Sequence, residues 1–321
     1  MNFATDVDIV LPCYNSAPWL GEMLESIVAQ DGPRWRVIAR DDGSSDATAA
    51  LLDQWSARLG EAMVLLDNPG RRNLGLAGNY TAVLRRAEAR WVLTADSDDV
   101  WLPGHLRHVT EALEAREREH GPATPLAICA DAAVIDEHGG PLAPSFWRWV
   151  GSDPRRVRRV MEVAMENPVL GSTMAVNRAL LQAALPVPAG FGGQDWWLAL
   201  VAVAFGHIHP IRRTSILYRR HTVNFSGTPF GGTAAGALGG ALRAPGAARA
   251  RLRKVLFEDL APQAAVFVDR FRDRLDDNDV EALDALAGLR GRGAIARRLT
   301  LARHRLAFAS PLKTLGLYAL C

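Results

Sequence analysis

Asp96, Asp98 and Asp99 stand directly after a short apolar run, Trp91-Val92-Leu93. A strand that ends in clustered acids presents them at its carboxyl edge, where open α/β sheets bind ligands. Carboxylates spaced Asp-x-Asp bind a hard divalent cation, and such a cation bridges phosphate oxygens. The spacing therefore points to chemistry on a diphosphate-bearing compound. Asp-rich turns also cap helices and solvate loops, so the cluster takes its meaning from the segments around it. A second acidic pair, Asp41 and Asp42, closes the run Arg36-Val37-Ile38-Ala39. An ionised carboxylate there is acceptor-only and can take the imide N–H of uracil or thymine. One acid of the pair, with Ser44, Ser45 or Asp46, also suits the cap of a following helix. Arg71, Arg72 and Asn73 precede Gly75, and an arginine fork matches phosphate geometry.

The elements that must position these groups alternate regularly. Val7-Asp8-Ile9-Val10-Leu11 reads as a buried strand. Asn15 or Ser16 suits the cap of the next helix and Pro18 its first turn, and Leu20, Met23, Leu24, Ile27 and Val28 share one helical face. The second strand, ending at the Asp41-Asp42 pair, leads to a helix with Leu51, Leu52, Trp55 and Leu59 in register. Met63 to Leu66 reads as a third strand. A loop over 68–78 enters a helix carrying Tyr80, Val83, Leu84 and Ala87, and the fourth strand meets the acidic cluster. Pro103 opens a helix with Leu106, Val109 and Leu113. Strand–helix alternation with short connections predicts an α/β fold, a mostly parallel central sheet flanked by helices. Leu126–Ala130 and the run through Ala132, Val134 and Ile135 read as two further strands, Asp195–Phe205 as a helix, and Ser215–Tyr218 as a late strand.

With 321 residues, 49% apolar and 22% charged, the chain has the composition of a globular protein with a sizeable core. A net charge of +2 gives no ground for a nucleic-acid partner. The charge is uneven: residues 241–321 carry 15 Lys/Arg against 9 Asp/Glu, and residues 1–240 carry 22 against 26. Cys13, Cys129 and Cys321 are scattered without metal-ligand spacing, which points to a reducing, cytoplasmic setting. The first residues lack the basic and apolar regions of a secretion signal, and the longest apolar run, Trp196 to Phe205, is too short to span a bilayer. The sequons at Asn79 and Asn224 then read as coincidence.

Five segments in order carry a resemblance: Ile9-Val10-Leu11-Pro12-Cys13-Tyr14-Asn15, Asp41–Asp46, Ala95–Trp101, Gln194-Asp195-Trp196-Trp197-Leu198 and Tyr218-Arg219-Arg220-His221. Over roughly residues 6–226 the chain resembles the family 2 glycosyltransferases of GT-A fold, and most of all the bacterial rhamnosyltransferase-like branch, which often has glutamine where this chain has Ser97. The resemblance implies an inverting transfer of a sugar from a UDP- or dTDP-sugar to a saccharide or lipid-linked glycan acceptor in surface polysaccharide synthesis, with Mg²⁺ or Mn²⁺. It implies that Pro12, Tyr14 and Asn15 line the base and ribose pocket, with Asp41, Asp42, Arg71 and Asp96 as further nucleotide contacts. Asp98 becomes the main metal ligand, with Asp96 and His221 beside it, and Asp99 orients the loop or caps the next helix. Asp195 becomes the general base that takes the acceptor proton. Trp196 and Trp197 would desolvate that carboxylate and raise its pKa, and with Gly193 they form the acceptor face. Trp147 and Trp149 are acceptor-stacking or core aromatics.

The expected organisation is a catalytic domain over 1–226, a Gly/Ala-rich linker over 227–246 and three or four helices over 247–321. From Leu286 to Cys321 seven basic residues occur and no acid, interleaved with leucines. That composition suits peripheral contact with an anionic membrane, or a helical appendage packed on the catalytic domain or forming a homodimer contact. Two other functions fit parts of the pattern. A sugar-phosphate nucleotidyltransferase needs a Gly-rich basic loop after the first strand, where this chain has Cys13-Tyr14-Asn15-Ser16-Ala17-Pro18. A catalytically inactive nucleotide-sugar-binding protein would not need Asp96, Asp98 and Asp195 together.

Overall fold

The computed structural model describes residues 5–189, 191–221 and 245–320. They fall into two compact units. One combines Met1–Phe146 with Val169–Thr222, the other Trp147–Pro168 with Val223–Cys321. Residues 147–168, which the sequence reading assigns to the catalytic domain, cluster with the C-terminal helices. The expected linker over 227–246 lies outside the described residues as far as 244, as do Asn224 of the second sequon and Cys321.

The first unit opens with β1 (Val7–Cys13), α1 (Leu20–Val28), β2 (Trp35–Asp41), α2 (Thr48–Leu59), β3 (Met63–Leu65), α3 (Gly75–Arg86) and β4 (Trp91–Thr94). It continues through β5 (Val100–Trp101), α4 (His105–His120), β6 (Leu126–Asp136) and β7 (Pro141–Ala143). β1 is buried at all seven positions, as its unbroken apolar run requires of a strand covered on both faces. It pairs in parallel with β2, Cys13 opposite Asp41, and with β4, Val10 opposite Thr94. That register brings the Asp41-Asp42 pair and the Asp96 cluster to one edge of the sheet. The helices bury the expected faces: Leu20, Met23, Leu24 and Ile27 on α1, and Leu106, Val109 and Leu113 on α4. α4 starts two residues later than Pro103 suggests, because Gly104 adopts a left-handed φ of 78° before it.

The segment that joins the second unit contains α5 (Phe146–Val150) and α6 (Val160–Met165). The chain then returns to the first unit through β8 (Ala175–Asn177), α7 (Arg178–Ala184), α8 (Gln194–Phe205) and β9 (His207–Arg220). The sheet order is β3-β2-β1-β4-β8-β6-β9-β5, with β7 on β6. It is parallel from β3 to β4 and mixed beyond, since β8 runs antiparallel to both β4 and β6. The two strands expected over 126–135 are one strand. Its pairing with β9 shifts register around Asp131, whose carboxylate accepts from its neighbour Ala132 N at 2.9 Å and from Ser145 Oγ at 2.5 Å.

The second unit holds α9 (Pro245–Lys254), a π-helical turn over Val255–Leu260, α10 (Ala261–Phe271), α11 (Asp277–Ala287), α12 (Ala294–Arg303) and α13 (Pro311–Leu320). Its core includes Phe267, Phe271, Leu283, Leu286 and Leu301. Lys313 Nζ meets Glu166 Oε1 at 2.5 Å, tying the 147–168 segment to α13. Trp147 is buried in this unit. Among the described residues no helix is long and apolar enough to cross a membrane.

Candidate active site

The acidic turn after β4 is held from several sides. Ala95 N donates to Val10 O at 3.0 Å, so the turn leaves the sheet level with the end of β1. Asp96 is half-buried, and its Oδ1 accepts the Tyr80 hydroxyl from α3. Burial first, and then repulsion from Asp98 and Asp195, push the Asp96 carboxyl up to about 7, against the opposing pull of the Tyr80 bond. The Tyr80 hydroxyl is raised well above its ordinary value, mainly by burial, so it stays a donor. Asp98 Oδ2 lies 2.7 Å from His221 Nε2, and the His221 ring stacks on Trp19 at 4.1 Å. Asp99 is wholly buried and accepts Arg219 N at 2.9 Å. Burial and its neighbours Asp98 and Asp96 hold its carboxyl well above the usual range. Arg219, 2% exposed, also donates to Asp98 O at 2.9 Å and pairs with Glu22 at 2.6 Å. Pairing of β5 with β9, Val100 opposite Leu217, delivers this arginine and His221 to the turn.

The other expected nucleotide contacts form a stitched pair of loops on the same edge. Pro12 is buried within β1, Tyr14 is exposed, and Asn15 takes a φ of 49°. Asn15 Oδ1 accepts Ser45 N at 2.8 Å, so its side chain joins the loop after β2 instead of capping α1. Asp41 is half-buried and accepts Ser44 N at 3.1 Å, Gly43 N at 3.2 Å and the Ser44 hydroxyl. Asp42 is 2% exposed and bound to Arg40 Nη1 at 2.5 Å and Leu74 N at 2.8 Å. Arg71, with φ 50°, turns its guanidinium onto Ser44 O. Gly43 sits against the Arg71 carbonyl with φ 80°, where a Cβ would collide. Ser97 Oγ meets Ser16 Oγ at 2.7 Å and so joins the acidic turn to the loop after β1.

Asp195 is the second residue of α8, half-buried, with Oδ1 accepting Trp196 N at 2.8 Å. Its charge is felt at Asp96 and Tyr80. Gly193, with φ 150°, clears space beside it, since a Cβ there would stand 2.5 Å from Asp195 Oδ1. Trp196 is 8% exposed. Trp197 is fully buried, and its indole N–H donates to Ala184 O at 2.7 Å. It is therefore a core residue of α8 with no surface of its own to offer an acceptor.

Sequence reasoning overlooked Tyr80 as a partner of Asp96, and also the buried network of Arg40, Asp42 and Asn79, in which Arg40 Nη1 reaches Asn79 Oδ1 at 2.9 Å. A buried arginine inside a strand was the available signal. Of the expected metal ligands, Asp98 and His221 are in direct contact, and Asp96 stands beside Asp98 with its carboxyl raised by burial first and by Asp98 second; carboxylate oxygens are donors that a hard divalent cation takes. Among the described residues no three such side chains are already grouped as ligands.

A sheet edge carrying a stitched pair of loops, an acidic turn and a helix-borne carboxylate is consistent with the GT-A fold that structural neighbours show. Staphylococcus aureus TarS 1–349, solved with UDP-GlcNAc, has this fold with a TM-score of 0.52 at 16% identity, over 98% of this chain and 90% of that one. The mannosyltransferase PcManGT from Pyrobaculum calidifontis, solved with GDP-Man and Mn²⁺, matches at 0.52 and 19%, over 99% and 85%. Residues 8–120 match the family model Glycosyl transferase family 2, and this stretch is a glycosyltransferase domain of that kind. It is 36% identical over 113 residues to the succinoglycan biosynthesis protein ExoO of Rhizobium meliloti, over 34% of this chain and 30% of that protein. It is 30% identical over 100 residues to the UDP-Glc:alpha-D-GlcNAc-diphosphoundecaprenol beta-1,3-glucosyltransferase WfgD of Escherichia coli, over 31% and 38%. The chain thus spans well under half the length of these two relatives.

Proposed function

We propose that the protein transfers a sugar, with inversion, from a UDP- or dTDP-sugar to a saccharide or lipid-linked glycan in polysaccharide synthesis. One observation carries the reading. Thr94, the last residue of β4, bonds Gly171 O, and Gly171 lies against the Asp195 side chain at the start of α8, so the acidic turn and Asp195 stand close together. A nucleotide site and a base must lie that close for donor and acceptor to meet. Tyr14 and Asn15 contact base and ribose beside Pro12, and Asp41, the more exposed of its pair, accepts the base imide with its remaining lone pairs. Arg71 contacts the phosphates once it releases Ser44 O. Asp98, with Asp96 and His221, holds a divalent cation, Mg²⁺ or Mn²⁺. When bound, that ion supplies charge neutralisation for the departing diphosphate. Asp195 takes the proton from the acceptor hydroxyl as that oxygen attacks the anomeric carbon. Gly193 and the edge of Trp196 border the acceptor. The names of the relatives support the acceptor class: one is named for succinoglycan synthesis, the other for a diphosphoundecaprenol-linked sugar. Residues 1–226 serve as the catalytic domain in this reading.

The test is a thermal-melt panel with UDP, dTDP, GDP and CDP, each with and without Mn²⁺. A metal-dependent rise with UDP or dTDP that disappears in Asp98→Ala supports the reading. No rise with any nucleotide ends the assignment of the acidic turn as a metal–diphosphate site. Pyrophosphate release from a nucleoside triphosphate and a sugar phosphate would transfer the site to the nucleotidyltransferases.

A further inference from the structure

The second unit has an open pocket of its own, about 350 Å³, lined by Arg253, Lys254, Phe257, Glu258, Arg290 and Arg297, of which Arg253, Lys254, Glu258 and Arg290 are exposed. Four cations and one carboxylate line it, and with Asp259 beside Lys254 the local charge is +2. Two of the cations are aimed by the fold. Arg297 is half-buried, donates to Leu289 O at 3.2 Å and Arg290 O at 3.3 Å, and lies 4.8 Å over the Phe257 ring. Arg253 stands over the same ring at 5.6 Å. Some other cations of this unit are matched, Arg272 by Asp284, Arg303 by Glu281 and Lys313 by Glu166, while others, such as Arg251 and Arg292, stand away from the pocket. Among the described residues none of the four pocket cations has an ion pair of this kind. Nor does residue 222–244 sequence hold a counter-charge, since it contains Arg243 and no Asp or Glu.

Converging like charges repel, and a bound anion relieves that repulsion. Guanidinium forks favour phosphate oxygens, which accept several charge-assisted hydrogen bonds at once. We infer that this pocket binds a phosphate group of the diphosphate or phosphodiester class. The same chemistry is offered by a free diphosphate and by an anionic lipid headgroup. Ile295 and Leu299, 75% and 66% exposed and one turn apart on α12 with Arg298 between them, are features of this unit that suit a bilayer surface. The inference stands independently of the donor assigned to the first unit.

Inorganic diphosphate is titrated calorimetrically into the full chain in EDTA, so that acids needing a cation to hold diphosphate stay silent. The expected result is saturable binding that Arg253→Ser/Arg290→Ser weakens about tenfold or more. Arg251→Ser/Arg292→Ser removes the same charge elsewhere and changes it less than twofold. Asp98→Ala leaves it unchanged. Equal melting temperatures for the two double variants exclude misfolding as the cause. The second arm is flotation with phosphatidylglycerol or phosphatidylcholine vesicles. Capture by the anionic vesicles alone, lost in Arg253→Ser/Arg290→Ser, identifies a lipid headgroup; diphosphate binding without capture identifies a free phosphate. Binding to neither probe, or equal losses in both double variants, overturns the inference.

Discussion

Two strand ends of this protein carry aspartates at neighbouring positions of one sheet edge, and they treat them in opposite ways. At the end of β2, Asp42 is matched by Arg40 and a backbone N–H, and Asp41 by two N–H groups and a hydroxyl. At the end of β4, Asp99 is buried and Asp96 half-buried beside Asp98, and desolvation and that neighbour push both carboxyls upward. The first end spends its charge on building a loop. At the second, burial and mutual repulsion disfavour the ionised carboxyls, a cost that an arriving cation would relieve. The difference teaches that identical residue types at equivalent strand ends separate into scaffold and site by their partners.

The largest expected effect falls on chemistry. Asp195→Asn lowers kcat by about 10²–10⁴-fold while the nucleotide-induced melting shift persists; wild-type turnover by this variant would remove the base assignment. Asp98→Ala abolishes that shift with metal present yet leaves the urea midpoint close to wild type. Asp42→Asn does the reverse. Breaking the buried pair with Arg40 costs about 3–5 kcal/mol in urea unfolding, because it strands a buried guanidinium. If Asp42→Asn were neutral for stability, the two strand ends would not differ as described. Tyr80→Phe removes the hydroxyl that holds Asp96 and is expected to lower transfer roughly tenfold with a loss of about 1–2 kcal/mol in stability. The smallest effect lies outside both strand ends and sets the scale. Asp279 in the second unit is pushed up to about 6 by burial and by Asp276. Its folded pKa is raised, so its contribution is favourable below about pH 4 and is lost as pH rises towards 6. Asp279→Asn should therefore flatten that stretch of the stability profile, by about 1 kcal/mol or less after solvent screening.

Much of the first unit was legible because its early strands are buried on both faces and therefore read as unbroken apolar runs. The acids after β4 and the helical faces of α1 and α4 followed from the same periodicities. β9 was legible only at its end. Its first half, His207 to Arg213, has a mostly half-exposed to exposed surface, and only pairing with β6 makes it a strand. The antiparallel insertion of β8 is likewise a long-range choice that no local pattern encodes. Trp197 misled for a simple reason: bulk and apolarity mark both an aromatic acceptor rim and a core, and burial alone separates them. Of the Arg40–Asp42–Asn79 network only the Arg40–Asp42 half is local; Asn79, on α3, lies 39 residues from Arg40 and meets it only in the folded chain.

Cys13 closes β1 at the middle of this edge, fully buried, with its thiol pushed far upward by burial and by Asp41. Cys129, on β6, is equally buried. A thiol that is both protonated and enclosed cannot attack a maleimide until the sheet around it opens. In a Cys321→Ser background the first unit therefore carries its own opening clock. The rate of labelling reports how often the catalytic edge comes apart, and any ligand that braces that edge should slow it in proportion to its occupancy.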